Sequence, residues 1–149
     1  MAREKVEGLR ELDAALAELP KATGKNVLRR VLRTAAQPVA DDYSESVRRR
    51  TGTLAKSAGV STKLSKRQRS LHRKMFKSDK ASVEMFAGAG PLPQAITEEF
   101  GTPDQPPQGE MRSSWDANQR GVLDTIKSEL WTEIEKAAQR LARKAAKGR

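Results

Sequence analysis

Residues 116–149 read DANQRGVLDTIKSELWTEIEKAAQRLARKAAKGR and carry the most regular apolar pattern in the chain. Apolar side chains recur there at spacings of three and four residues, which places them on one face of an α-helix. The pattern predicts a C-terminal helix of roughly 25 to 30 residues, on the order of 40 Å long. The apolar face is formed by Leu123, Ile126, Leu130, Ile134, Ala137 and Leu141.

Two helices are predicted at the other end of the chain, within residues 1–50. The first carries a leucine stripe that ends at Pro20, and the second begins after Thr23, which is a suitable N-cap. Pro38 predicts a kink or a break in the second helix, because proline lacks an N–H and crowds the preceding turn. The two apolar faces are Leu9, Leu12, Leu16 and Leu19, and then Val27, Leu28, Val31, Leu32, Ala35, Val39, Tyr43 and Val47.

A small antiparallel sheet is predicted between the helical ends, with strands within residues 51–62 and 81–88. Residues 63–80 between them hold eight Lys or Arg residues and one Asp, a net charge of +7. This segment is too charged to pack and too long for a tight turn, so we expect a projecting loop or a short helical arm. Its cations are Lys63, Lys66, Arg67, Arg69, Arg73, Lys74, Lys77 and Lys80.

Glycine and proline dominate residues 89–115, which predicts a loop-rich middle before the last helix. Together the patterns predict an α+β fold in a single domain, 1–149, with two N-terminal helices, a small sheet carrying the basic arm, and a long C-terminal helix. The segment 81–126 has seven acids and two arginines, although the whole chain carries +10. A subunit polarised in this way is suited to head-to-tail contacts between copies.

Residue content argues against most catalytic chemistry. The chain has no cysteine and one histidine, which excludes disulfides, most zinc sites and any Cys-His pair. His72 lies inside the basic arm, where we expect a solvated side chain and no catalytic base. We therefore predict no enzyme activity, no metal and no cofactor. No secretion signal or membrane-spanning run is evident, so we expect the chain in the cytoplasm of the cell that makes it.

Three stretches, in this order, resemble the head-tail joining (tail-completion) protein family of long-tailed, lambda-like phages. The first is VEGLRELDAALAELP with the helix after it, and the second is TGTLAKS at residues 51–57. The third is AGPLPQAITEEFGT at residues 89–102, continuing through two prolines and Met111 to Trp115. The set covers nearly the whole chain.

This resemblance implies a structural virion protein of the phage neck. It implies a ring, with six copies expected, that joins the head connector to the tail and lets DNA pass through its lumen. Its partners would be further copies of itself, head-connector and tail-terminator proteins, and DNA in the lumen, with no membrane. Before assembly the chain would lie in the host cytoplasm. The residues expected at subunit or ring interfaces are Phe100, Gly101, Pro106, Pro107, Met111, Trp115 and Trp131.

Two other functions remain open from the residues alone. The basic arm at 63–80 would suit a non-specific nucleic-acid-binding protein, since its cations would contact phosphates whatever the base sequence. A small regulatory or inhibitor protein could instead present its C-terminal helix to a groove on a partner.

Overall fold

The computed structural model of the chain describes residues 9–78 and 83–148. The described part is α+β, as predicted: six helices surround one two-stranded sheet. The elements, in chain order, are α1 (Leu9–Ala17), α2 (Lys21–Ser46), α3 (Thr53–Ser57), β1 (Gly59–Ser61), α4 (Lys66–Met75), β2 (Phe86–Gly88), α5 (Pro93–Phe100) and α6 (Glu110–Ala146).

The pairing of α2 with α6 forms the body of the protein. On α2 the buried side chains follow one another every four residues, so they form a single ridge along the helix. Leu130, Ile134 and Ala137 of α6 pack against one end of that ridge, and Leu12 of α1 closes the same cluster. The ridge consists of Val27, Val31, Ala35, Val39 and Tyr43, and it continues to Val47 just beyond the helix.

The two helices run antiparallel, as two polar contacts demonstrate. Near the start of α2, Arg30 Nη1 lies 3.0 Å from Glu133 Oε2 late in α6. Near its end, Asn118 Nδ2 in the first half of α6 donates to Asp42 Oδ2 at 3.0 Å. Because Arg30 is half exposed, its ion pair adds little to stability, and the apolar seam holds the pair together.

A second cluster forms where α2 ends. Tyr43 and Val47 pack there with Leu54 and Ala55 of α3, and Met111 of α6 borders the same cluster. Ser44 Oγ donates to the Ala55 carbonyl at 2.9 Å, which ties α3 to α2. This second cluster positions the sheet, α5 and the start of α6 relative to the α2–α6 body.

Several predicted boundaries are wrong. Pro38 does not break α2, because it lies on the exposed side, where water can solvate the carbonyl that loses its hydrogen bond. The second helix begins at Lys21, after Pro20, so Thr23 is not its N-cap. α2 also ends at Ser46, before the predicted limit at residue 50.

The predicted strands are shorter than expected. Residues 53–57 form α3, since Gly52, at φ 76°, starts a helix that buries Leu54. Only Gly59–Ser61 and Phe86–Gly88 pair, with Val60 opposite Ala87. Residues 81 and 82 of the second predicted strand lie outside the described residues.

The middle region is more helical than predicted. α5 occupies Pro93–Phe100, within the segment expected to be loop, and proline suits its first turn. The last helix begins at Glu110, not at residue 116, and extends for 37 residues to Ala146. None of the helices in residues 9–78 and 83–148 combines the length and apolar character needed to cross a membrane.

Candidate assembly surface

Residues 98–110 are called the acidic corner below. They comprise the end of α5, the turn that follows it and the first residue of α6. The central part of the corner is a compact loop within the segment that was predicted to be rich in loops. Thr102 and Gln105 exchange two backbone hydrogen bonds, of 2.8 and 3.2 Å, and the Gln108 N–H donates to the Glu98 carbonyl at 2.8 Å. The loop is therefore fastened back onto the end of α5, with Pro106 and Pro107 on its exposed outer side.

Gly101 makes this corner possible. Its φ of 77° and ψ of 176° lie in a region that is essentially restricted to glycine. A Cβ at this position would lie 2.7 Å from both the Gln105 carbonyl oxygen and the Pro107 nitrogen. Conformation and space therefore both require glycine at this position.

Glu99 caps the longest helix from outside it. One carboxylate oxygen accepts from the Met111 N–H at 2.9 Å, and the other accepts from the Arg112 N–H at 3.1 Å. These N–H groups belong to the first turn of α6, which has no cap from its own N-cap residue, Gly109. A negative charge at this position also interacts favourably with the helix dipole. α5 and α6 are thereby locked together.

The negative charges of the acidic corner are not fully compensated by nearby cations. Burial, together with the nearby carboxylates of Glu110, Glu99 and Glu98, raises the pKa of Tyr43 to about 12. The pKa of Glu110 is raised as well, first by burial and then by Glu98 and Glu99, although Arg48 acts in the opposite direction. Among the described residues, neither Glu98 Oε2 nor Glu110 Oε2 has a hydrogen-bond partner.

A large apolar groove of about 1130 Å³ opens beside the acidic corner. Ile96 and Phe100 of α5 line one side, α4 lines another, and the seam between α2 and α6 forms the floor. Phe100 is 76% exposed and Trp115 47% exposed, although both line the groove. The floor includes Leu32, Ala36, Val39, Val122 and Ile126.

The predicted interface residues are only partly brought together. Phe100, Met111 and Trp115 all line the groove; the rings of Phe100 and Trp115 are exposed, whereas Met111 is half-buried and packs on the second cluster. Trp131 is exposed on α6, sixteen residues after Trp115, which is about 24 Å along the helix. The groove therefore unites part of the predicted set and leaves Trp131 on a separate surface.

The basic arm contains a helix, α4, and the Ser65-x-x-Gln68 spacing in the sequence marks where it begins. Ser65 Oγ accepts from the Gln68 N–H at 3.3 Å, and Gln68 Oε1 accepts from the Ser65 N–H at 3.0 Å. This capping box satisfies two backbone donors and starts the helix in the middle of a highly charged segment. No residue of α4 is buried, so the helix stands out from the body.

His72 joins α4 to the sheet, which corrects the expectation of a solvated histidine. Its ring contacts Phe86 of β2 edge to face at 5.2 Å between centroids, and Phe76 at 4.9 Å. His72 Nε2 lies 3.8 Å from Glu84 Oε2. The side chain is mostly covered and holds the arm to β2.

The cations of the arm fall on more than one surface. Lys66, Arg69, Arg73, Lys74 and Lys77 line a shallow depression of about 500 Å³ with Ser70, and they form the cationic stripe. Lys66, Arg69, Arg73 and Lys74 lie on one side of α4, and Lys77 follows the end of the helix. Lys63 precedes α4, Arg67 lines the groove, and Lys80 lies outside the described residues. No acidic residue occurs in α4.

Within residues 9–78 and 83–148, no group of three His, Cys, Asp or Glu side chains is arranged to hold a metal ion. The candidate surface combines a corner that requires glycine, exposed aromatic rings and separated charges.

A model of one protein family matches residues 10–129, which is 120 of the 149 residues; it is described as "Bacteriophage HK97-gp10, putative tail-component". The chain belongs to the HK97-gp10-like family. The match agrees with the family resemblance noted in the sequence. It makes the chain a phage tail component and hence a part of the virion. No curated protein and no solved structure matches the chain with significance.

The family match spans both the groove and α4, but two features of this member were not foreseen from its sequence. The Ser65-x-x-Gln68 spacing signals a capping box, and it would have predicted the start of α4. The cap by Glu99 has no local signal, because Glu99 precedes Met111 by twelve residues and reaches it only through the fold.

Replacing Gly101 tests the corner. We expect Gly101→Ala to lower the free energy of unfolding by about 1–3 kcal/mol, because a Cβ is strained in this conformation and meets the loop backbone. Gly121→Ala is the matched control, because nothing lies within 4 Å of a Cβ there and alanine favours a helix interior by roughly 0.5–1 kcal/mol. Urea denaturation measures both changes. Equal effects of the two substitutions would contradict the role given to Gly101.

Replacing Glu110 tests the uncompensated charge. Since its folded-state pKa is raised, the folded protein holds this proton more tightly, and the stability due to the group falls as pH rises above its ordinary value of 4.5. We expect Glu110→Gln to raise the thermal unfolding midpoint at pH 7. The gain should vanish below pH 4.5, where the carboxyl is protonated in both states. Glu135→Gln, on the exposed face of the same helix, is the control. A lower midpoint for Glu110→Gln at pH 7 would contradict the assignment.

Proposed function

We propose that the protein is a ring-forming subunit of the phage neck, which joins the head connector to the tail and lets DNA pass. The observation that carries this proposal is the open apolar groove of about 1130 Å³, which has Phe100 and Trp115 at its edge in a chain from a family of phage tail components. Monomeric proteins rarely expose large contiguous apolar surfaces, and such surfaces mark sites of association.

The rigidity of the acidic corner supports this function. Phe100 lies between Gly101, whose turn requires glycine, and Glu99, which caps α6. The backbone that carries the phenyl group of Phe100 therefore has little conformational freedom. A pre-organised aromatic side chain loses little entropy on binding and is the typical anchor of a protein interface. A sixfold ring would use this surface once in each copy.

The separation of charge supports a head-to-tail arrangement. The described part of the arm carries cations without acids, whereas no Lys or Arg occurs from residue 81 to residue 111. A contact between unlike surfaces generates a closed ring when the rotation between copies closes. Complementary charges on those surfaces also disfavour the reverse pairing.

The function proposed here requires no reaction. The lone histidine of the chain serves as the joint between α4 and the sheet, and the carboxylates of the acidic corner cap a helix or lie among other acids. We therefore assign the protein a role in assembly, through shape and charge, with head-connector and tail-terminator proteins as its neighbours. Trp131, which lies on a separate exposed surface, would form a second contact, with a neighbouring ring.

Truncating the aromatic edge of the groove tests the ring. We expect Trp115→Ala to weaken self-association by about 2 kcal/mol per contact, roughly thirtyfold, as for a central aromatic anchor. Light scattering gives the particle mass, and immunoblots of purified virions give incorporation. Gln119→Ala, exposed on the same helix, should leave both unchanged. Absence of the wild-type protein from purified virions would refute the neck assignment.

The cationic stripe supports a second function, contact with DNA. Four cations on one side of an exposed helix, with Lys77 just beyond its end, would track a phosphate backbone without reading bases. This contact would serve DNA in the lumen of the ring. It would equally serve the alternative of a non-specific nucleic-acid-binding protein that acts without assembling.

A salt titration of duplex binding tests this contact. If five phosphates are neutralised, log K should fall with log salt at a slope of about −4.5, and the double change Lys66→Gln with Lys74→Gln should reduce the slope by about 2. Arg143→Gln with Lys144→Gln removes the same charge from the end of α6 and serves as the control. Negligible affinity of the wild type at 50 mM salt would eliminate the DNA contact.

A further inference from the structure

The arm has a second concave surface, called the cationic cleft here, which is distinct from the groove. It encloses about 450 Å³ between α4, the segment before it and β2. Its size lies within the range of about 300–1,000 Å³ that is usual for binding clefts. Its apolar walls are Leu64, Phe76 and Phe86, and its cations are Lys63, Arg69, Arg73 and Lys77.

The cleft and the groove lie on different sides of α4. Arg67, Gln68 and Leu71 line the groove, whereas Arg69, Arg73 and Phe76 line the cleft. At about 100° per residue these two sets occupy separate sectors of the helix. One side of α4 therefore faces the groove, and the other side, at the cationic cleft, is available to a neighbouring copy.

The charge of the cleft is only slightly compensated. Glu84 is the one acid that lines it, and this carboxylate faces His72 at 3.8 Å. Lys63, Arg73 and Lys77 have no acidic partner among the described residues. An occupant that combines an apolar side chain with carboxylates would satisfy both the walls and the rim.

The acidic corner has this combination. Phe100 projects with three quarters of its surface exposed, and the carboxylate of Asp104, four residues later, is also exposed and has no partner in the described structure. Glu98 and Glu110 add negative charge behind them, with carboxylate oxygens that lack hydrogen-bond partners. The corner and the cleft thus carry opposite charges, and both present apolar side chains.

We propose that the acidic corner of one copy inserts Phe100 into the cationic cleft of the next copy, with Asp104 directed toward Lys63. This inference rests on the proposed ring and specifies the contact that builds it. The pairing is head to tail, since each copy has one corner and one cleft. It also places the outer surface of the arm over the aromatic edge of the neighbouring groove.

Charge reversal tests the pairing. Lys63→Glu and Asp104→Lys should each weaken self-association at least tenfold, because each places like charges together. The double variant with both changes in one chain should recover to within threefold of the wild type, and so should an equimolar mixture of the two single variants, because opposite charges meet again at every contact. Lys21→Glu, which is exposed at the start of α2, is the control for net charge. Light scattering in DNA-free buffer gives the association constants.

Cysteine pairing provides a second measurement, since the chain has no cysteine of its own. A mixture of Lys63→Cys and Asp104→Cys chains, one with a size tag, should form the mixed disulfide dimer at least tenfold faster than either homodimer. Lys21→Cys mixed with Asp104→Cys should show no such preference.

The outcomes separate the two proposals. If the wild type enters virions, but neither charge reversal weakens association and no mixed disulfide dimer is favoured, the corner-to-cleft contact is wrong and the neck function stands. If the mixed disulfide dimer is favoured but the protein is absent from virions, the contact is correct and the neck function fails. Loss of association in both single variants without recovery in the double variant also overturns the pairing of Lys63 with Asp104.

Discussion

The apolar seam between α2 and α6 is the interaction on which the other features depend. It brings two long helices together along a ridge of small and medium side chains, with Val27 and Val31 against Leu130 and Ile134 at one end. At the other end, Tyr43 of α2 and Met111 of α6 take part in the second cluster, against which the short elements pack. The groove lies where α4 and α5 border this seam without covering it. Its floor is therefore a continuation of the protein's own core.

The parts of the fold that follow from local pattern were predictable. The four-residue spacing from Val27 to Val47 and the stripe along α6 both depend on helical periodicity, and both helices were predicted from it. Residues 53–57 were not, because Thr53 and the following Val60 and Thr62 favour a strand in this part of the chain, whereas burial of Leu54 and Ala55 against the end of α2 favours a helix. The start of α6 was missed for a related reason: its cap comes from Glu99 on another helix.

The candidate surface was predictable in composition and not in arrangement. Phe100 and Trp115 were expected at an interface from the family resemblance, and the arm cations from their charge, and the structure brings only some of them together. Which side of α4 faces the body depends on His72 packing against Phe86, a contact between residues fourteen apart in the chain. The arrangement of the arm's cations around the cleft, with Arg69, Arg73 and Lys77 shared between the stripe and the cleft, depends on that contact, and charge counting along the sequence does not reveal it.

The cap on α6 has a mechanical meaning. Because Glu99 holds the first turn of a 37-residue helix and precedes Phe100 directly, a pull on the corner is transmitted along the helix axis and is not absorbed by loop stretching. α6 is about 55 Å long, so its far end lies well away from the corner. A continuous helix fastened at the corner thus links Phe100 to a point about 55 Å away with no intervening loop.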